Sequence, residues 1–149
     1  MTLDGNYTIL AGQEQVWRVI LDPAVMARII PGVKTLEPDG EDRYKALYEV
    51  KMGPVRGQLQ GDLEITDKVA PKQYTIKTKI RGTIGNVVAE GQICLEPKGE
   101  HTEVSFQAEA KLSGVMANMG QRIISGVADV YTRQFFEALQ EEVAKAGEK

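Results

Sequence analysis

One cysteine and one histidine in 149 residues leave little from which to build most reactive sites. A single thiol excludes an intramolecular disulfide framework and any multi-cysteine zinc site. A lone imidazole removes the multi-histidine metal sites and leaves one such group for acid–base work. Aromatic residues make up only 6% of the chain. Positive charge is short as well: 18 Lys and Arg face 21 Asp and Glu, for a net charge of −3. No net field gathers phosphates, so nucleic acid is not expected as a partner. No stretch approaches the ~18 apolar residues of a membrane span. The opening Met1-Thr2-Leu3-Asp4-Gly5-Asn6 lacks the basic region and apolar run of a secretory signal. The expectation is a cytoplasmic chain forming one domain over residues 1–149, large enough to bury a core without staples.

What the chain does have is strict alternation. From Tyr44 to Met52 the even positions are Tyr44, Ala46, Tyr48, Val50 and Met52, while the odd ones include Lys45, Glu49 and Lys51. Period two with one charged face is a half-buried strand. The same pattern returns over 55–66, 74–81, 87–96 and 103–112. The breaks at Gly53-Pro54, Ala70-Pro71, Gly82 to Gly85 and Pro97 to Glu100 carry turn chemistry. Five consecutive strands joined by such breaks predict an antiparallel meander, wet on one face and apolar on the other.

Tyr7 to Leu10 reads as a first strand and Val33 to Leu36 as a short second one. Between them lie two short helical patterns, Gln13 to Leu21 and Pro23 to Ile30. The second has Asp22 as its N-cap and Pro23 at N1, and it stops at Pro31-Gly32. A long helix is expected from about Ser113 to Ala146. Helices gathered on one face of an antiparallel sheet make an α+β layer fold.

Fifteen glycines are a mild excess over the average of about 7%. Gly57, Gly61 and Gly91 join Ala46, Ala89, Ala108 and Ala110 on the apolar parity of the strands. On the long helix, Arg122, Asp129, Arg133 and Gln140 share one arc at about 100° per residue. The opposite arc carries Ala117, Gly120, Ile124, Val127, Ala128, Tyr131 and Phe135. Protein interiors pack to a density of about 0.74, so small residues facing small residues bring backbones together or leave a space. The expectation is an apolar cavity under the N-terminal half of the helix, plugged by Tyr131, Phe135 and Trp17. The competing reading is that the strand glycines only relieve curvature.

The candidate ligand contacts are Tyr48, Leu59, Leu63, Ile76, Ala89 and Phe106 from the strands, with Met116, Gly120 and Ile124 from the helix. Nearly everything at this parity is non-ionisable, and general acid–base catalysis needs a titratable group beside the reacting atom. The expectation is therefore binding without catalysis, with no cofactor and no metal. His101 falls in a turn. Cys94 shares the outward parity of Glu90 and Glu96, with no basic neighbour in sequence to activate it. Asp62 and Glu64 point outward as solvated charges, and Gly82 to Gly85 lacks the strand-to-helix setting of a phosphate loop.

Four segments carry a family resemblance: Asp22 to Gly32, Met52 to Gly57, Gly114 to Arg122 and Gln134 to Leu139. Their order and spacing resemble the carbon monoxide dehydrogenase G-subunit family, within the START/Bet v 1-like (SRPBCC) superfamily. The resemblance implies a helix-grip fold, with a curved seven-stranded antiparallel sheet around a long C-terminal helix and two short helices after the first strand. It implies a hydrophobic cavity that takes a lipid or quinone-like molecule. It also implies an accessory role beside a molybdenum hydroxylase, with membrane recruitment at the inner face of the plasma membrane. Ile30 precedes Pro31-Gly32 where the family commonly has a cysteine near this loop. Two rival readings remain at this point: a cyclase- or hydrolase-like enzyme, which the superfamily also contains, and a protein-interaction module with a filled core.

Overall fold

The computed structural model describes residues 1–52 and 55–147. Each alternating segment becomes a strand. In chain order the elements are β1 (Thr2–Ile9), α1 (Gln13–Ile20), α2 (Pro23–Ile29), β2 (Val33–Pro38), β3 (Arg43–Met52), β4 (Val55–Val69), β5 (Gln73–Gly82), β6 (Gly85–Lys98) and β7 (His101–Ser113). A 3-10 turn (Gly114–Met119) and a long helix, α3 (Gln121–Gly147), complete the fold. The strands form one antiparallel sheet in the order β1-β7-β6-β5-β4-β3-β2. The expected turn at Gly53-Pro54 lies outside the described residues.

β1 starts at Thr2, ahead of the expected Tyr7. Leu3, Gly5, Tyr7 and Ile9 alternate with exposed Thr2, Asp4, Asn6 and Thr8, but Gly5 breaks the apolar row in the sequence. The fold explains the glycine: a Cβ there would lie 2.8 Å from the ring of Phe106, its partner on β7. Around α2 the local chemistry acts as read. The Asp22 carboxylate accepts a 3.0 Å hydrogen bond from the Ala24 N–H, and Pro23 occupies the first turn.

The long helix differs from expectation. It begins at Gln121, and residues 114–119 form the 3-10 turn instead. Gly120 separates the two with φ +92°, a left-handed conformation that other residues rarely adopt. The cause is a distant contact. Gly85 and Gly114 both have positive φ and pack backbone to backbone, which turns the chain off the sheet before a helix can start.

Two apolar clusters form under α3. In the larger one, Phe136, Leu139 and Val143 of α3 meet Val16 and Ile20 of α1, Met26 and Ile29 of α2, and Leu63, Ile65, Tyr74, Leu95 and Val104 of the sheet. The smaller cluster holds Ala46, Tyr48, Leu59 and Met116. α1 is further tied to the sheet: Gln13 Nε2 donates to the Leu95 carbonyl at 2.9 Å, and Thr102 Oγ1 donates to the Ala11 carbonyl at 2.8 Å.

A forked ion pair joins α2 to the last turns of α3. Arg28 Nε and Nη2 donate to Glu142 Oε2 and Oε1 at 2.9 and 2.8 Å. This hydrogen bonding holds the Glu142 carboxyl below its ordinary value of 4.5. A carboxylate with a depressed native pKa contributes stability above its unfolded pKa, and that contribution disappears as pH falls through the native value. The expected outcome is that Glu142→Gln lowers the urea midpoint at pH 6 and that this deficit shrinks towards pH 3. A deficit independent of pH would show that the pair adds nothing through charge.

Candidate functional site

The concave face of the sheet and the middle of α3 do not meet everywhere. Between the two apolar clusters they leave an open cleft of about 370 Å³, within the range typical of small-molecule sites. Its floor is the inward parity of the central strands: Ile76, Thr78 and Ile80 on β5, Ala89, Gly91 and Ile93 on β6, and Phe106 and Ala108 on β7. Leu3, Tyr48 and Leu63 add to the wall, and Ile30 and Pro31 close one side. Tyr131, Thr132, Phe135 and Phe136 form the roof. Among the described residues, none that lines the cleft is charged.

The space follows from side-chain size. Gly91 faces Ala108 and Ala89 faces Ala110 across the β6–β7 ladder, so the sheet is shallow there. Aromatic packing bounds one end. Phe136 stacks on Tyr7 with ring centroids 4.1 Å apart, and Phe106 and Phe135 lie 5.7 and 5.0 Å from the Phe136 ring. These large rings hold the roof off the small residues of the floor.

The polar side-chain groups of the wall are hydroxyls. Burial pushes the Tyr48 phenol above its ordinary value. Tyr48 is thus a neutral hydrogen-bond donor at physiological pH. Thr78 gives its own proton to the Asp62 carbonyl at 2.9 Å, which leaves its oxygen as an acceptor. The arrangement can orient an uncharged polar group on an apolar molecule. A charged group inside it would lack a counter-charge, which is costly away from water.

Of the candidate contacts read from sequence, Tyr48, Leu63, Ile76, Ala89 and Phe106 all line this cleft. The others lie elsewhere. Leu59 and Met116 are packed together in the smaller cluster, each 2% exposed. Gly120 is exposed at the joint before α3, with open space where a Cβ would project. Ile124 is half-buried outside the lining. Because α3 starts later than expected, the roof is built by Tyr131 to Phe136 in the middle of the helix and not by its first turns. Trp17 is no plug either. It packs edge-on against Tyr74, 5.8 Å between centroids, beside the larger cluster and outside the cleft lining.

Sequence reasoning passed over Leu3, Ile30, Pro31, Thr132 and Phe136. Leu3 was legible once the β1 alternation is followed through Gly5. Phe136 was legible from its spacing of three and seven to Leu139 and Val143. The remaining reactive residues stay apart from the cleft. His101 is the exposed first residue of β7, and Cys94 is half-buried on the outer face. Asp62 and Glu64 are paired outside with Arg81 and Arg43 at 3.8 and 3.5 Å. Among the described residues, no cluster of three or more His, Cys, Asp or Glu side chains could hold a metal ion. No described helix is long and apolar enough to cross a membrane.

An antiparallel sheet that half-encloses a long C-terminal helix, with two short helices after its first strand, defines the helix-grip fold of the START/Bet v 1-like (SRPBCC) superfamily. Residues 5–144 match the family described as the carbon monoxide dehydrogenase G subunit (CoxG). The chain belongs to that family.

Among solved structures, a conserved protein from Geobacillus kaustophilus is 34% identical, with 98% of this chain and 97% of that one covered and a TM-score of 0.94. TTHA0849 from Thermus thermophilus is 17% identical over 98% of this chain and 99% of its own, with a TM-score of 0.72. The Zhui aromatase/cyclase from Streptomyces sp. R1128 is 14% identical over 97% and 95%, with a TM-score of 0.70. At such identities the last two likenesses concern the fold alone. No curated protein matches the sequence.

Proposed function

We propose that this chain is a non-enzymatic binding protein whose cleft holds a hydrophobic or amphipathic small molecule, lipid or quinone-like. In this reading it serves as an accessory or membrane-recruitment protein for a carbon monoxide dehydrogenase-type molybdenum hydroxylase. Its membrane contact is peripheral, at the inner face of the plasma membrane. The observation that carries the binding reading is the cleft wall: apolar side chains interrupted by hydroxyls, with no charged group among the described residues. Such a wall favours burial of apolar surface, at about 25 cal/mol per Å². It offers no carboxylate, imidazole or ammonium for proton transfer. Family membership supports the choice of partner class.

Titration with the neutral fluorophore N-phenyl-1-naphthylamine tests the reading. The expected outcome is one saturable site per chain, with blue-shifted emission, from which decylubiquinone or a long-chain alcohol displaces the fluorophore. A linear, non-saturating signal would contradict it.

A further inference from the structure

The roof of the cleft is fastened at two points, with only partly buried contacts between them, from Met119 and Val127 to the smaller cluster and from Phe135 to the larger. On the C-terminal side, Phe136, Leu139 and Val143 are buried. Gln15 Nε2 donates to the Val143 carbonyl at 3.2 Å, the Leu10 N–H donates to Gln140 Oε1 at 2.9 Å, and the Arg28 fork grips Glu142. On the other side Met116 is inserted into the smaller cluster, and its N–H donates to the Ile84 carbonyl at 3.0 Å.

From Ala117 to Phe135 no residue is buried. Ile123 and Val130 leave 45% and 43% of their surface in water. The stretch also contains two weak points. Gly120 sits at φ +92° between the 3-10 turn and the helix, and Gly126 lies inside the helix with nothing within 4 Å of where a Cβ would project. Glycine within a helix favours the unwound chain, because it gains the most conformational freedom there. Few buried apolar contacts and a solvent-exposed backbone are the marks of a segment that opens locally at low cost.

We propose that residues 117–135 form a strap that unwinds from Gly120 towards Tyr131 to admit a ligand and rewinds to close Tyr131 and Thr132 over it. The ligand role rests on the cleft reading above; the opening itself rests on burial and backbone alone. Phe136 and the residues beyond it stay in place, so the cleft floor and the larger cluster are intact while the strap is open. Unwinding breaks the helical hydrogen bonds, which amide exchange reads directly.

Hydrogen–deuterium exchange on the full chain, with stopped-flow binding of N-phenyl-1-naphthylamine, tests this. Amides of 124–132 are expected to exchange at least tenfold faster than those of 139–146, and saturating fluorophore should protect only the first group. Gly126→Ala places its methyl in open space and disfavours the unwound strap. It should slow both strap exchange and fluorophore association about fivefold, with dissociation slowed alike and Kd nearly unchanged. Saturable binding with uniform protection along α3, or with association unaltered by Gly126→Ala, would overturn the strap and leave the cleft standing. Fast strap exchange without saturable binding would refute the cleft as a ligand site, and with it the strap's role as its gate.

Discussion

Replacing Gly85 with alanine is expected to destabilise the protein by about 3 kcal/mol and to lower Tm by roughly 10 °C. Two costs combine. Gly85 has φ +136°, where an L side chain is strained, and its Cβ would collide with the backbone carbonyl oxygen of Ser113. The same methyl would press on Met116 Cε at 3.1 Å. The β5–β6 turn, the end of β7 and the 3-10 turn would all have to separate, and the smaller cluster would lose its Met116 anchor. Gly126→Ala serves as the contrast, since its methyl meets nothing; there the gain in helix propensity should leave Tm unchanged or higher. Differential scanning calorimetry on both variants separates them. Equal Tm values would mean that the backbone contact between Gly85 and Gly114 does not hold the end of the sheet.

The largest effect on binding is expected from Ala89→Phe. Ala89 stands on the cleft floor between Thr78 of β5 and Ala110 of β7. A phenyl ring there projects from the floor into the cleft and occupies space a ligand would use. Fluorophore affinity should fall at least tenfold, while the stability from urea unfolding stays within about 1 kcal/mol of the parent, because the ring occupies space and displaces no side chain. Val88→Phe is the matched control. Its side chain is 49% exposed on the opposite face of the same strand, and a one-residue step along a strand changes the face. Val88→Phe should bind the fluorophore like the parent. If both variants bound normally, the site would not be on the concave face of the sheet.

Strand parity made the sheet and the cleft floor readable. Tyr48, Leu63, Ile76, Ala89 and Phe106 could be placed on one wall because period two fixes the face of every residue once a strand is recognised. Volume was harder to read. Gly57 and Gly61 were expected to leave space, yet Ile84 fills the first position at 3.1 Å, and Ile80 and the Tyr48 ring fill the second at 3.0 and 3.1 Å. A small residue in a strand shows where something approaches, and only the facing residues decide whether that is a neighbour or a void. The space survives over Ala89, Gly91 and Ala108, where the roof is held up by the Tyr7–Phe136 stack.

The helix residues were misplaced for a related reason. Ala117, Asn118 and Met119 satisfy a helical pattern, and nothing in their local sequence stops a helix from starting at Ser113. What stops it is the packing of Gly85 against Gly114, residues far apart along the chain. Starting the helix at Ser113 instead of Gln121 put Gly120 and Ile124 over the cavity and left Tyr131 and Phe135 as its plug, whereas Tyr131 and Phe135 are themselves part of the roof. Residue chemistry at the core parity was read correctly in kind: hydroxyls and apolar groups, with the acids and bases outside. That distribution is the basis for reading the site as one that binds.

Native mass spectrometry of the full chain purified from cells, beside its Ala89→Phe variant, tests the central claim most directly. The account predicts that the parent carries a non-covalent adduct of one apolar, uncharged molecule per chain, recoverable by organic extraction and absent from Ala89→Phe. A parent protein that bears no adduct and acquires none on incubation with decylubiquinone or a long-chain alcohol, or an adduct that persists in Ala89→Phe, would contradict it.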